Sequence, residues 1–158
     1  MAFDPRQLTQ LAAEHGTPLW VYDAAVIRER IAQLRRFDVI RYAQKACSNL
    51  HILRLMRAEG VMVDAVSLGE IERSLAAGFA AAGEPGGVAF TVDLIAHATL
   101  ATVVKHGITV NAGSLDMLER VGQHAPGHRV WLRINPGFGH GHSNKTNTGG
   151  EHSKHGIW

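Results

Sequence analysis

The sequence predicts an α/β fold with a parallel sheet, because short apolar runs alternate with longer stretches of helical periodicity. Glycine or proline ends most of these stretches, which separates the elements clearly. One helix stands between most successive runs, and such a crossover joins parallel neighbours. The five predicted strands cover residues 39–43, 61–66, 86–91, 108–111 and 129–134.

Helix starts are indicated by capping residues. Asp4-Pro5 opens a first helix that Gly16 ends, and Asp23 precedes a second apolar stripe. Ser67 and Glu70 have the spacing of a capping box, in which serine and glutamate satisfy free backbone amides reciprocally. The remaining helices are predicted at 49–59, at 94–106 and from Ser114 onward.

The pattern alone does not decide whether the sheet is open or closes into a barrel. A parallel sheet with crossover helices can be an open, doubly wound sheet or part of a (β/α)8 barrel. Five β/α units cannot close an eight-stranded barrel, so the pattern by itself favours the open sheet. A further short apolar run at residues 19–22 also has the composition of a strand.

Composition excludes several classes of function. Sixteen basic and 14 acidic residues are scattered along 158 positions, without the basic cluster typical of a nucleic-acid interface. No apolar segment is long enough for a signal peptide or a membrane helix. The single cysteine, Cys47, excludes an internal disulfide and suits a reducing compartment, so we expect a cytoplasmic protein. We interpret Cys47 as a small buried apolar side chain.

Lys45 is the candidate catalytic residue. It follows the predicted strand 39–43 directly, and ligands bind at the carboxyl edge of a parallel sheet. A partly desolvated lysine there can attack an aldehyde and form a Schiff base. By position alone, a solvated strand-end lysine is the commoner case.

The motifs around Lys45 resemble a known family. Tyr42-Ala-Gln-Lys-Ala-Cys-Ser-Asn-Leu50 resembles the signature of the alanine-racemase-like decarboxylases that use pyridoxal phosphate (PLP), although Cys47 stands where many members have asparagine. Val63-Asp-Ala-Val-Ser-Leu-Gly-Glu70, Asn111-Ala-Gly-Ser114 and Trp131-Leu-Arg-Ile-Asn-Pro136 are similar to later strand motifs of the family, in the same order. The glycine- and histidine-rich loop 137–156 is similar to that of the branch which converts meso-diaminopimelate to lysine.

The resemblance implies the N-terminal part of a (β/α)8 barrel, about five units, in place of the open sheet. Residues 17–22 would be a strand of a separate C-terminal β-domain. Lys45 would hold PLP covalently, with Asp64, Glu70 and Arg133 around the cofactor. The implied substrate is a small amino acid, the implied assembly a homodimer or higher homo-oligomer, and neither nucleic acid nor membrane is expected as a partner. The 158 residues alone are expected to have no turnover.

Three alternatives stay open. Relatives that decarboxylate ornithine or arginine share the barrel, and non-catalytic PLP-binding proteins share the lysine-bearing strand. His140, His142, His152 and His155, with Glu151, could supply zinc ligands. A glycine-rich loop is a poor scaffold for a tetrahedral site, so we expect solvated histidines and no metal. Asp64, Glu70 and Arg133 could equally be a strand-end carboxylate, a helix cap and a surface arginine.

Overall fold

A computed structural model describes residues 3–83, 87–139 and 147–158. The chain divides into two compact units, Met1–Asp38 and Val39–Trp158. The first unit contains helices α1 (Pro5–His15) and α2 (Ala24–Ala32). Asp4 and Asp23 cap them, each carboxylate accepting a hydrogen bond from the backbone N–H two residues on, as predicted.

The second unit is a five-stranded parallel sheet. Its strands are β1 (Arg41–Ala43), β2 (Met62–Ala65), β3 (Ala89–Val92), β4 (Thr109–Ala112) and β5 (Val130–Leu132), and they lie side by side in chain order. A doubly wound sheet reverses its direction of growth at a switch point, whereas a barrel adds each strand on the same side. The observed order is therefore that of a barrel wall, and the open-sheet interpretation is wrong.

Four helices cover this sheet: α3 (Leu50–Ala58), α4 (Leu68–Ala76), α5 (His97–His106) and α6 (Leu115–His124). Asn49, Ser67 and Ser114 cap α3, α4 and α6 through their side-chain oxygens. Helix α5 begins three residues later than predicted and has no side-chain cap, because Ala96 stands at its N-cap position. None of the described helices is long and apolar enough to cross a membrane.

The core lies between the sheet and these helices. The most deeply buried large side chains come from strands and helices in alternation, among them Leu53, Val63, Ile71, Phe90, Leu100 and Val110. The end of β5 is different, since Leu132 and, two residues beyond it, Ile134 are 55% and 59% exposed. The wall is thus well packed from β2 to β4 and open beside β5.

Two segments differ from their prediction. Residues 19–22 form no strand within the described part of the chain, because a strand needs a neighbour for its backbone hydrogen bonds. The predicted loop after β5 returns to the sheet: Asn135 N donates to Ile157 O and Ile157 N donates to Arg133 O, both at 2.7 Å. Ile134 and Ile157 form a parallel bridge, so the chain begins to pair beside β5 at residue 157.

Candidate functional site

The carboxyl ends of the five strands bring together most of the chemically active side chains. Lys45 lies in a 3-10 turn, Gln44–Ala46, directly after β1. Asp93 follows β3 and Arg133 follows β5. Because all strands are parallel, these residues share one edge although up to 88 positions separate them in sequence (133 − 45). The sequence-predicted pair Lys45 and Arg133 is therefore assembled by the sheet.

A cavity of about 460 Å³ lies at this edge. Its described lining includes three cationic side chains, Lys45, Arg133 and Lys154, and one carboxylate, Asp93. The other lining residues are Val66, Thr91, Val92, Leu94, Thr148 and His155. The surplus of positive charge favours a ligand that carries phosphate or carboxylate groups.

The turn that carries Lys45 is fixed from below by Gln44, whose side chain is fully buried. Gln44 Nε2 donates to the backbone oxygen of Glu70 at 3.0 Å, and Ser74 Oγ donates to Gln44 Oε1 at 2.5 Å. Both partners lie on α4. Each polar atom of the Gln44 amide thus has a partner in the core, and the position of Lys45 depends on helix α4.

Asp64 lies on β2 beside this cavity. Thr91 Oγ1 donates to Asp64 Oδ1 at 2.6 Å, and Asn111 Nδ2 donates to Thr91 Oγ1 at 3.4 Å, so three neighbouring strands contribute to one hydrogen-bonded row. Burial raises the pKa of Asp64, while the Thr91 hydrogen bond and the charges of Arg41, Lys45 and Arg133 oppose that rise. Asp64 is therefore within electrostatic reach of both Lys45 and Arg133.

Glu70 is placed differently from the other predicted site residues. Its carboxylate accepts a hydrogen bond from the backbone N–H of Val66 at 2.8 Å, and Ser67 Oγ accepts from the backbone N–H of Glu70 at 3.2 Å. The predicted capping box is confirmed, except that the Glu70 carboxylate accepts from the amide of Val66 and not from that of Ser67. Glu70 is buried and does not line the cavity of Lys45.

A charged cluster that the sequence pattern did not single out lies at the cavity wall. His155 Nδ1 is 2.6 Å from Asp93 Oδ2, and Arg133 Nη1 is 3.6 Å from Asp93 Oδ1. Sequence position could have indicated Asp93, since it follows its strand as Lys45 follows β1. His155 was considered only as a zinc ligand, and its approach to Asp93 depends on the return of the chain to β5.

The other proposed zinc ligands are not assembled in the described part of the chain. His140 and His142 lie outside the described residues. His152 is exposed, and within residues 3–83, 87–139 and 147–158 no three His, Cys, Asp or Glu side chains are grouped to hold a metal ion. The expectation that no metal is bound stays a prediction.

Comparison with known proteins gives consistent matches. Residues 24–158 match the family described as "Pyridoxal-dependent decarboxylase, pyridoxal binding domain". The chain is 71% identical over 157 residues to diaminopimelate decarboxylase of Streptomyces coelicolor, covering 99% of this chain and 36% of that protein. It is 66% identical over 151 residues to diaminopimelate decarboxylase of Escherichia coli, covering 96% of this chain and 36% of that protein.

Solved structures match over the same region. A crystal structure of diaminopimelate decarboxylase superimposes with a TM-score of 0.91 at 65% identity, covering 97% of this chain and 36% of that chain. The Helicobacter pylori diaminopimelate decarboxylase complexed with L-lysine gives a TM-score of 0.81 at 29% identity, covering 97% and 40%. The chain therefore spans somewhat more than a third of the length of the proteins it matches.

Proposed function

This chain belongs to the pyridoxal-dependent decarboxylases, and on that premise we propose that it supplies the Lys45-bearing part of an enzyme converting meso-diaminopimelate to L-lysine and carbon dioxide. The observation that carries the proposal is Lys45 at the carboxyl end of β1, in a cavity whose described lining has three cationic side chains and one carboxylate. The complete enzyme denotes this chain joined to the remainder that its relatives carry.

The residues present fit pyridoxal phosphate. The cofactor is an aldehyde that carries a phosphate, so it needs an amine that it can join and positive charge nearby. Lys45 supplies the amine, and Arg133 and Lys154 supply charge on the wall of the same cavity. When bound, pyridoxal phosphate supplies the electron sink for the loss of carbon dioxide.

The remaining predicted site residues receive distinct roles. Asp64 is proposed to balance the charge of Lys45 and Arg133, because it is partly buried and within their electrostatic reach. Arg133 is proposed to contact the cofactor from the wall. Glu70 is proposed to act by fixing the turn between β2 and α4, since its carboxylate is held by the Val66 amide.

The organisation of the complete enzyme follows the same proposal. Residues 1–158 form part of a cofactor-binding barrel, and residues 17–22 pair with a β-domain in the remainder of the complete enzyme. We propose a homo-oligomer, a small amino-acid substrate, no nucleic-acid or membrane partner, and a cytoplasmic location. The 158 residues alone are proposed to lack turnover, because the apolar positions Leu132 and Ile134 are exposed and unsupported.

The experiment is a covalent label on the complete enzyme. Borohydride reduction followed by peptide mapping is expected to find the pyridoxyl group on Lys45, and Lys45→Ala is expected to abolish both the label and carbon dioxide release. Lys154→Ala is the matched control, because Lys154 lines the same cavity and is expected to leave the label in place. A label on any other lysine, with Lys45→Ala fully active, would contradict the proposal.

Substrate choice is tested separately. Carbon dioxide release is compared for meso-diaminopimelate, ornithine and arginine at equal concentrations. Preference for meso-diaminopimelate supports the proposal, whereas preference for ornithine or arginine would assign the chain to another branch of the family. Labelling of Lys45 without release from any of the three would favour a non-catalytic cofactor-binding protein.

A further inference from the structure

Asp93 and His155 form the closest charged contact at the cavity wall. The 2.6 Å between Asp93 Oδ2 and His155 Nδ1 is a hydrogen-bond distance, and the two residues are 62 positions apart (155 − 93). They reach each other because Asp93 directly follows β3, while His155 precedes the return of the chain to β5 at Ile157. Both side chains line the cavity that contains Lys45.

The contact determines which ring nitrogen of His155 carries the proton. A carboxylate only accepts hydrogen bonds, so a ring nitrogen 2.6 Å away must donate to it. Nδ1 is therefore protonated, and in the neutral ring Nε2 is left as an acceptor. Among the described residues no hydrogen bond is made to Nε2 of His155, and His155 lines the cavity that contains Lys45.

We propose that Asp93 and His155 form a proton-transfer dyad for the amine exchange at Lys45. Asp93 is the positioning residue, which fixes the ring and its tautomer, and His155 is the catalytic residue, which exchanges a proton through Nε2. The same division of roles makes a histidine an effective base wherever a carboxylate holds its other nitrogen. The inference rests on the proposed function, because it assigns the proton traffic of that reaction.

The proton balance closes within the site. An amino-acid substrate arrives with an ammonium group, which must lose a proton before its nitrogen can replace Lys45. The N–H bond of the substrate breaks, and the proton binds Nε2 of His155, whose positive charge Asp93 then compensates. When the Lys45 amine is released, Nε2 returns the proton to Nζ of Lys45, so His155 ends neutral and no other reactant is consumed.

The surrounding charges suit this exchange. Arg133 Nη1 lies 3.6 Å from Asp93 Oδ1 and 3.5 Å from Nδ1 of His155, so the guanidinium and the ring both face the carboxylate. Lys45 from β1 and Lys154 beside His155 face the same cavity. Asp93 therefore contacts both Arg133 and His155, so its negative charge can offset a proton that the ring accepts.

The first arm of the test reads the tautomer without any turnover. Nitrogen-15 NMR of histidine-labelled complete enzyme, loaded with cofactor and free of substrate, is expected to show His155 protonated at Nδ1, with His155→Gln identifying its signals. In Asp93→Asn this preference is expected to be lost. An unchanged tautomer in Asp93→Asn would overturn the inference.

The second arm separates proton transfer from simple tethering. Glutamine at position 155 can still donate to Asp93 but cannot exchange a proton, so His155→Gln is expected to lower kcat/KM roughly 100-fold. Asp93→Asn is expected to lower it at least roughly 10-fold. His155→Gly is expected to recover activity with added imidazole, which a structural role would not produce. His152→Gln, an exposed histidine three residues away, is the control and is expected to match the wild type.

Each outcome is decisive. The inference is overturned if His155→Gln keeps a kcat/KM within roughly threefold of the wild type, because loss of a general base should cost far more. It is also overturned if imidazole fails to restore a His155→Gly enzyme that still binds cofactor. Absorbance of the Lys45-linked cofactor reports folding of every variant. If the wild type itself neither labels Lys45 nor releases carbon dioxide, the proposed function fails. The NMR spectra would still show whether Asp93 holds the proton of His155 on Nδ1.

Discussion

Replacement of Ser74 by alanine tests whether the turn that carries Lys45 is held by its buried contact with α4. Ser74 and Gln44 are both fully buried, and Ser74 Oγ contacts Gln44 Oε1 at 2.5 Å and the Glu70 backbone oxygen at 2.9 Å. Ser74→Ala removes the donor to Gln44 Oε1 and leaves that oxygen buried without a partner. The expected cost is about 1–3 kcal/mol in the free energy of unfolding.

The reverse replacement is expected to cost less. Gln44→Met keeps the volume of the side chain, and the Ser74 hydroxyl can still donate to the Glu70 backbone oxygen, so no buried donor is stranded. We expect a loss of about 1 kcal/mol for Gln44→Met. In the double variant both partners are apolar, so its loss should be smaller than the sum of the two single losses.

Urea denaturation of the complete enzyme measures these changes as shifts of the midpoint at constant slope. Thr102→Ala is the matched control, because Thr102 Oγ1 makes the same type of contact with a backbone oxygen four residues earlier, on an exposed helix face. It is expected to change the free energy of unfolding by less than about 0.5 kcal/mol. Additive losses in the double variant, or a Ser74→Ala loss no larger than the Thr102→Ala change, would refute the reasoning.

Further outcomes are expected from the geometry. Because burial raises the pKa of Asp64 above its ordinary 3.8, the native state binds this proton more tightly than the unfolded state, and stability falls as pH rises from 3.8 through the raised value. Asp64→Asn should therefore unfold at higher temperature than the wild type above that window and not below it, and equal melting temperatures at both ends would contradict this. Gly156→Ala should lower the free energy of unfolding by about 1–3 kcal/mol, because φ is +84° and a Cβ would lie 2.8 Å from Asn135 N. Gly122→Ala is the control, since a Cβ there meets nothing, and an equal midpoint shift in the two variants would contradict the prediction. Asn49→Ala should lower the free energy of unfolding by about 1 kcal/mol, because it removes the cap of α3. Asn49→Asp keeps a capping oxygen and should retain the wild-type stability; an equal loss in both variants would contradict the capping role.

Local structure was largely predictable, because its causes lie within a few residues. Asp4, Asp23, Ser67 and Ser114 cap the helices that their positions indicate, and a cap needs only a side-chain oxygen near its own backbone amides. All five strands of the sheet were predicted, with bounds that shift by up to three residues. The run at 19–22 forms no strand in the described part of the chain, because strand composition does not supply a strand's partner, and its pairing with a separate β-domain stays a prediction.

The residues of the candidate site also differ in how far local sequence predicts them. Lys45 could be proposed from the sequence because its motif surrounds it, and it lines the same cavity as Arg133. Glu70 was predicted both as a capping-box residue and as a residue around the cofactor, and its carboxylate accepts the capping-box hydrogen bond. Asp93 could have been noted by its position after β3, but its contact with His155 could not, because that contact depends on the return of the chain to β5.

The sequence by itself determined the family, the alternation of strands and helices, the helix caps and the lysine at the end of β1. The family follows from the resemblance of the motifs, and the other features depend on neighbours in the chain, so local spacing is enough to predict them. Only the tertiary structure decided the sequential strand order, the buried contact of Gln44 with Ser74, and the meeting of Asp93, Arg133 and His155. Those contacts join residues 22 to 62 positions apart, and their pairing is set by which strands share an edge of the sheet.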